Sequence, residues 1–335
     1  MLKKFYTIPI FIPELACPFQ CVFCDQKKIS GYNNSPSGNE VNRIIESYLN
    51  SFTNKDAVIN IGFFGGNFTG IPVDEQEKYL KIAYSYLKKG DVHGIRLSTR
   101  PDYISPDIVD LLKNYSVSIV ELGAQSFDED VLMKSGRGHK VADIINASEL
   151  IKNADIKLGL QMMIGLPGDS LKKSLFTANE IIRLGADNTR VYPTLVIKGT
   201  KLEQLYQEGK YTPLSLSDAV EWTKILISLF TKNGIDIIRV GLHPSEGLLN
   251  GHELAAGPFH VSFKELVLTD LWKDLIIEQL NENKNDILIK VAPEQLNHAV
   301  GYKSSNKKML EMKFQKVKFI TNQSLKDYEF DVIYS

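Results

Sequence analysis

The sequence predicts an α/β fold in which a parallel sheet curls into a full or partial barrel. Three observations lead to this prediction: short apolar segments alternate with helical patterns, several of these segments are apolar throughout, and the helical patterns begin at capping residues. Strands that are buried on both faces lack polar alternation, and parallel neighbours need helical crossovers between them. The seven predicted strands are residues 6–12, 58–64, 95–99, 118–122, 156–163, 188–192 and 235–240.

For three helices between these strands, capping residues predict where the helix begins. Ser37 and Glu40 have the spacing of a capping box, in which each side chain bonds to the backbone of the other residue. Ser170 is placed to cap a second helix, and Ser217 is placed to cap a third helix that ends at Gly234. These starts support the alternation of strand and helix.

A smaller unit follows, because the regular alternation stops after the last barrel strand. We therefore divide the chain into a barrel over residues 1–241 and a small α+β C-terminal extension over residues 242–335. Its predicted helices are residues 264–280, 293–299 and 307–314, and its predicted strands are residues 287–291, 317–320 and 330–334.

Charge and hydropathy limit the classes of partner. The 335 residues contain 39 Lys and Arg against 40 Asp and Glu, so the net charge is −1 and no overall basic field attracts nucleic acid or anionic lipid. A local patch could still do so, and residues 301–335 carry seven Lys against four acidic residues. No stretch approaches the roughly 20 apolar residues that a membrane-spanning helix needs. We expect a cytoplasmic protein with no membrane partner.

All three cysteines of the chain lie within eight residues. Cys17, Cys21 and Cys24 form C-x3-C-x2-C directly after the first predicted strand, where the loops of a parallel barrel carry its chemistry. An odd number at this spacing indicates a reducing compartment and a bound metal rather than a disulfide framework. A closed zinc site needs a fourth ligand, for which His93 and His139 are candidates. A four-iron cluster on three cysteines instead leaves one iron open, and the spacing alone does not decide between the two.

The residues around the cysteines carry a family resemblance. Cys17, Cys21, Phe23 and Cys24 match C-x3-C-x-Φ-C with an aromatic Φ, so the sequence resembles the radical S-adenosylmethionine (SAM) superfamily. The resemblance implies a [4Fe-4S] cluster on the three cysteines, SAM on the open iron, and an external reductant such as flavodoxin or ferredoxin. It also implies reductive cleavage of SAM to a 5′-deoxyadenosyl radical and a TIM-like partial (β/α)6 barrel.

Motifs that follow the later strands resemble the cofactor-binding segments of the same superfamily. The glycines after the second strand resemble a motif whose backbone meets the amino group of SAM, although Asn67 stands where Glu is commonest. Polar residues at the ends of the later strands are expected to contact the carboxylate and ribose of SAM, or else Arg100 and Glu121 form an internal ion pair. We expect His139 at the surface. The predicted cofactor-binding residues are Phe23, Gly65, Gly66, Asn67, Arg100, Glu121, Gln125, Arg137 and Gln161.

Further motifs resemble the branch that contains the catalytic subunit of Elongator. This resemblance covers roughly residues 6–320 and implies action on a tRNA uridine, although the acetyltransferase domain of Elongator has no counterpart in the sequence. The motifs are residues 98–102, 123–126, 137–139, 192–194, 241–244 and 300–306.

Two alternatives to a tRNA enzyme stay open from the sequence. The barrel also resembles that of oxygen-independent coproporphyrinogen oxidase, which implies a radical SAM enzyme with a small-molecule substrate. The other alternative is a non-enzymatic binding module that zinc stabilises. His243, His252, Glu253 and His260 follow the last barrel strand, and the resemblance places this segment near the barrel mouth. We expect these residues to contact substrate, with proton donation and, last, a second metal site as the alternatives.

Overall fold

The computed structural model describes residues 4–13, 21–25, 34–54, 56–242, 245–281 and 283–335 in two compact units. The first unit comprises the described residues up to Leu214 together with Leu229–Pro258. The second unit comprises Ser215–Ser228 and Phe259–Ser335. The division into residues 1–241 and 242–335 stays a prediction.

Seven parallel strands form the centre of the first unit. They are β1 (Phe5–Phe11), β2 (Val58–Phe64), β3 (Gly94–Thr99), β4 (Val117–Gln125), β5 (Lys157–Ile164), β6 (Asn188–Pro193) and β8 (Asp236–Val240). The strand order β1-β2-β3-β4-β5-β6-β8 follows the chain, and each neighbouring pair is parallel. All seven predicted strands are confirmed, and the curled sheet has one strand more than the resemblance implied.

Helices connect these strands, and two of the three predicted starts are confirmed. Ser37 and Glu40 form the capping box, with Ser37 N donating to the carboxylate of Glu40 at 2.7 Å, and Ser170 Oγ accepts from Lys173 N at 3.4 Å. The prediction for Ser217 is wrong, because Ser215 Oγ accepts from the backbone at 3.0 Å and the helix begins at residue 216. The helices are α1 (Gly38–Ser51), α2 (Val73–Lys89), α3 (Pro106–Asn114), α4 (Glu129–Lys134), α5 (Val141–Asn153), α6 (Leu171–Arg183), α7 (Lys201–Gln207), α8 (Leu216–Lys232) and α9 (Glu246–Leu249).

A small antiparallel sheet in the first unit was not predicted. It pairs β7 (Val196–Ile197) with β9 (Leu254–Ala256). Strands of two or three residues carry no period that a sequence could reveal. Residues of both strands pack against Cys21 and Phe23, so this sheet covers one side of the cysteine segment.

The second unit contains a three-stranded mixed sheet with helices packed on one face. Its elements are α10 (Phe263–Glu278), β10 (Asp286–Val291), α11 (Leu296–Val300), α12 (Ser305–Glu311), β11 (Lys316–Thr321) and β12 (Phe330–Tyr334). The central strand β10 pairs with β11 in parallel and with β12 in antiparallel, which confirms the three predicted strands. Trp272, Ile289 and Leu310 are fully buried in its core. In the described ranges, none of the helices is long and apolar enough to cross a bilayer.

We expect Leu310→Ala to lower the free energy of unfolding of the second unit by about 2–5 kcal/mol, because it leaves a cavity in a core that excludes water. Met312→Ala is the matched control, since Met312 is 81% exposed and two residues away. Urea denaturation followed by the fluorescence of Trp272, which lies in the same core, measures both variants. Equal losses in the two variants would contradict the assigned core.

Candidate cluster and cofactor site

The carboxyl ends of the parallel strands bring most of the predicted site residues to one end of the barrel. Cys21 and Cys24 follow β1, and the segments with Asn67, Arg100 and Gln125 follow or end β2, β3 and β4. In a parallel barrel the loops at this end carry the chemistry. Cys17 and His243 lie outside the described residues.

A tight turn holds the two described cysteines. Cys24 N donates to Cys21 O at 3.0 Å, and Cys21 is buried whereas Cys24 is partly exposed. Two backbone bonds at Val22 fix the turn to the rest of the unit: its N–H donates to Ser135 O at 3.0 Å, and its carbonyl accepts from Leu202 N at 2.7 Å. The cysteine turn is therefore joined to the segments after α4 and at the start of α7.

Phe23 packs inward beside the cysteines. It is 8% exposed and shares an apolar cluster with Cys21, Val131 and Leu166. Burial of an aromatic ring in this position stabilises the turn and keeps water from one side of the thiol. A contact between Phe23 and a cofactor stays a prediction.

Arg137 connects the cysteine turn to the end of β4. Its Nη1 lies 3.3 Å from Sγ of Cys21, and its Nη2 donates to the carbonyl of Gly123 at 2.6 Å. The guanidinium is 7% exposed, and its Nε is buried without a partner. A Cβ at Gly123 would lie 3.2 Å from Nη2, so the absence of a side chain there makes room for the guanidinium.

Arg100 forms an ion pair, but its partner is not Glu121. Two guanidinium nitrogens of Arg100 donate to the two carboxylate oxygens of Asp102 at 3.0 and 2.8 Å. Nη2 of Arg100 also donates to the backbone carbonyl of Arg137 at 2.7 Å. The alternative of an Arg100–Glu121 pair is therefore wrong, although each of these residues is paired.

Glu121 lies fully buried inside the barrel between two arginines. Arg96 on β3 donates to it from Nε at 2.9 Å, and Arg190 on β6 donates from Nε to the other oxygen and from Nη2 at 3.0 Å. Burial tends to lower the pKa of Arg190, but the neighbouring Tyr192 and the carboxylate of Glu121 hold it above its usual value. Four donated hydrogen bonds saturate the carboxylate, so Glu121 organises the barrel interior.

Arg96 and Arg190 were not predicted as partners of Glu121. The available signal was an arginine within each of two otherwise apolar or neutral strands, because a buried cation needs a buried anion.

Asn67 joins the ends of β2 and β3. Its Oδ1 accepts from Thr99 Oγ1 at 2.6 Å and from the backbone N of Arg100 at 3.2 Å. Nearby, Gly65 has φ of 99°, and a Cβ there would lie 3.0 Å from the carbonyl oxygen of Ile12. Only glycine fits this close approach between the loops after β1 and β2. Gly66 shares this turn, and a cofactor contact for these residues stays a prediction.

Gln125 ends β4 in an unusual backbone conformation. Its φ is 66°, and the register between β4 and β5 shifts between Leu122 and Gln125. Such a conformation costs about 1 kcal/mol or more in a residue with a side chain. The side-chain Oε1 is buried without a partner. On β5, Gln161 Nε2 donates to Ser98 Oγ at 3.3 Å, so Gln161 faces the same barrel interior.

His139 is buried, which corrects the expectation of a surface position. It is 3% exposed, and its Nε2 lies 3.2 Å from the carbonyl oxygen of Ala124. A carbonyl only accepts, so Nε2 carries the proton and Nδ1 is a buried acceptor without a partner. Burial first, and then the charges of Arg137 and Arg100, lower the pKa of His139 to about 3. The ring is therefore neutral at physiological pH.

The other described histidines have local partners. His93 precedes β3, and its Nδ1 accepts from Ile59 N at 3.1 Å at the amino end of the sheet, opposite the cysteines. The backbone N–H of His252 donates to Asn250 Oδ1 at 3.0 Å. His260 Nδ1 accepts from Ser262 N at 3.0 Å, and its ring packs edge-to-face against Tyr302. Within the part of the chain that the structure describes, no three His, Cys, Asp or Glu residues form a group that could hold a metal, but Cys17 is outside that part.

Comparison with known proteins agrees with this fold and site. The model of the radical SAM superfamily matches residues 12–178, and the model of the radical SAM C-terminal domain matches residues 186–273. The chain belongs to the radical SAM superfamily. Members of this superfamily use a [4Fe-4S] cluster and SAM.

The relatives include Elongator-like proteins, as the motifs predicted. An uncharacterized protein of Methanocaldococcus jannaschii is 30% identical over 209 residues, which are 61% of each chain. A tRNA uridine(34) acetyltransferase of Dehalococcoides mccartyi is 26% identical over 239 residues, which are 62% of this chain and 52% of that protein. The chain thus spans roughly half to three fifths of the length of these relatives.

A solved structure has the same fold. It is the archaeal Methanocaldococcus infernus Elp3 with an N-terminal deletion, with a TM-score of 0.64 at 19% identity over 84% of this chain and 65% of that chain. At this identity the likeness supports the partial barrel alone.

Removing the charge of Glu121 should destabilise the barrel. We expect Glu121→Gln to lower the free energy of unfolding by about 3–5 kcal/mol, because Arg96 and Arg190 lose their shared buried carboxylate. Glu180→Gln removes a surface pair with Arg183 and should change the stability little. Urea denaturation of both variants measures the difference, and equal effects would refute the buried cluster.

The buried neutral His139 should make stability fall as the pH falls. Between about pH 6.5 and the folded pKa of about 3, the unfolded chain binds a proton at this residue that the folded chain does not. From neutral pH to pH 5, this residue should therefore lower the free energy of unfolding by about 2 kcal/mol. His139→Gln should lack this contribution, so the stability difference between wild type and variant narrows or reverses at low pH. Parallel pH profiles would contradict the assignment.

Proposed function

We propose that the chain binds a [4Fe-4S] cluster through Cys17, Cys21 and Cys24, binds SAM beside it, and acts on a tRNA uridine. The observation that carries the first part is the buried thiol of Cys21 with the guanidinium of Arg137 at 3.3 Å. A cationic donor stabilises a thiolate, which is the form that binds iron. Two cysteines in one turn, with the third close in sequence, fit a cluster with three protein ligands.

The residues around the thiols also fit SAM. Among the described residues, Gln125 Oε1 and His139 Nδ1 are buried acceptors without a partner, and Arg137 Nε is a buried donor without one. Such orphaned groups are rare in folded proteins and mark a position where a ligand completes the hydrogen bonds. We assign Gln125 and Gln161 to the hydroxyl groups of the ribose, Gly65 and Gly66 to close backbone approach, and Asn67 and Arg100 to the support of that backbone.

A [4Fe-4S] cluster held by Cys17, Cys21 and Cys24 would supply the electron for the reductive cleavage of SAM. The chain supplies position and exclusion of water. The apolar cluster around Phe23 covers the thiol, and the neutral His139 adds no charge. The reductant is a protein of the flavodoxin or ferredoxin class, in the reducing compartment that the free cysteines favour.

The tRNA uridine is favoured by the similarity to a protein named tRNA uridine(34) acetyltransferase. The lysine excess of residues 301–335 supports binding of a phosphate backbone. Because the chain spans about half of that relative, we propose the radical half of such a modification and not the acetyl transfer.

Anaerobic reconstitution with iron and sulfide tests the cofactor. Wild type should bind about four irons per chain and release 5′-deoxyadenosine with dithionite and SAM. Cys21→Ala and Cys24→Ala should lose both properties, because the cluster loses a ligand, whereas Arg183→Gln on the exposed face of α6 should keep them. Zinc in place of iron, or a cluster that forms without these thiols, would contradict the proposal.

The substrate needs a separate measurement. A cellular tRNA pool should stimulate release of 5′-deoxyadenosine, and mass spectrometry of the digested tRNA should detect a changed uridine. Filter binding should weaken steeply from low to physiological salt, because phosphate contacts release counterions. Turnover that depends on a small molecule and ignores tRNA would instead support the coproporphyrinogen-oxidase-like alternative.

A further inference from the structure

The backbone around Arg137 fixes the position of this residue beside the sulfur of Cys21. The loop that carries Arg137 folds back on the end of α4. The backbone N–H of Arg137 donates to Leu132 O, and the backbone N–H of Gly136 donates to Met133 O, both at 3.0 Å. Gly136 and Gly138 on either side have φ of 64° and 78°. The main-chain conformation of this loop therefore directs the side chain of Arg137 toward the end of the barrel, independently of its contact with the sulfur.

Hydrogen bonds hold both the side chain and the backbone of Arg137. Nη2 bonds to the carbonyl of Gly123, and the backbone carbonyl of Arg137 accepts from Arg100, which is in turn paired with Asp102. In the described part of the chain, no carboxylate pairs with Arg137. Its charge is thus directed at the thiol, at 3.3 Å.

A cation that donates a hydrogen bond to a cluster thiolate favours the reduced cluster. Reduction adds one electron from the external reductant, and a positive charge nearby lowers the free energy of that added negative charge. Hydrogen bonds to ligating sulfur and exclusion of solvent are among the features that set such potentials. Apolar neighbours and the neutral His139 leave little to screen the guanidinium.

We propose that Arg137 is a positioning residue that raises the reduction potential of the cluster through its hydrogen bond to Cys21. This inference rests on the proposed cluster, and it assigns to Arg137 an effect that exists before SAM binds. A residue that only contacted the SAM carboxylate would change SAM affinity and leave the potential of the SAM-free cluster unchanged.

Redox titration of the reconstituted, SAM-free protein, followed by electron paramagnetic resonance, tests the proposal. Arg137→Met removes charge and donors, and should lower the equilibrium constant for reduction by about tenfold, which equals about 59 mV for one electron. Arg137→Gln keeps donors without charge and should shift the potential less, and Arg137→Lys should stay nearest to wild type. Arg183→Gln, which removes an exposed guanidinium, should not shift it.

Gly123→Ala is a second variant that leaves Arg137 in the sequence. Its Cβ would lie 3.2 Å from Nη2 of Arg137 and 3.0 Å from Nε2 of Gln125, so it displaces the guanidinium. We expect the reduction potential of Gly123→Ala to be lower than that of wild type, by less than in Arg137→Met.

The outcomes separate the two proposals. If wild type binds no cluster, the proposed function fails and this inference fails with it. If the Met and Gln variants carry a full cluster at the wild-type potential, the proposed function stands and this inference is wrong. If Arg137→Met binds no cluster, the reduction potentials of Arg137→Gln and Gly123→Ala decide the question. A wild-type potential in both variants would refute the proposed effect of Arg137 on the cluster.

Discussion

The hydrogen bonds that Arg137 donates to Cys21 and to the carbonyl of Gly123 join two parts of the chain that are about a hundred residues apart. The cysteine turn follows the first strand, whereas Arg137 lies beyond the fourth. Among the described residues, the backbone of Val22 joins the turn to Ser135 and Leu202, and Phe23 joins it to the apolar cluster. Tertiary structure therefore helps to place the cysteine segment.

The end of β4 carries the strain that this arrangement requires. Gly123 leaves space for a guanidinium, the backbone carbonyl of Ala124 accepts from His139, and Gln125 adopts a positive φ where the register with β5 breaks. A regular strand would point alternate side chains to opposite faces and would keep these groups apart. The irregular end instead turns three consecutive residues toward one site. Strain of this kind is commonly found where a structure positions a ligand.

The strands were predictable, because buried parallel strands are apolar on both faces and the helices between them start at capping residues. The cysteine motif was also predictable, since its ligands are close in sequence. The pairing of Glu121 was not, because Arg96 lies one strand away and Arg190 two strands away on the other side. Only the register of the folded sheet brings them together. The burial of His139 was not predictable for the same reason, because residues in a polar loop are usually exposed. Only the folded structure buries this ring, close enough to Arg137 and Arg100 for their charges to lower its pKa.

The electrostatic balance of the site follows from which charges are paired. Arg96 and Arg190 share the single carboxylate of Glu121, which leaves that group with a charge of +1, whereas Arg100 is matched by Asp102. His139 is neutral. Arg137 differs, because its bonds go to a carbonyl and a sulfur. In a site that excludes water, a charge acts through a low effective dielectric constant, so one cation at hydrogen-bond distance outweighs several paired ones further away. The barrel thus places a guanidinium that has no carboxylate partner among the described residues at hydrogen-bond distance from the sulfur of Cys21.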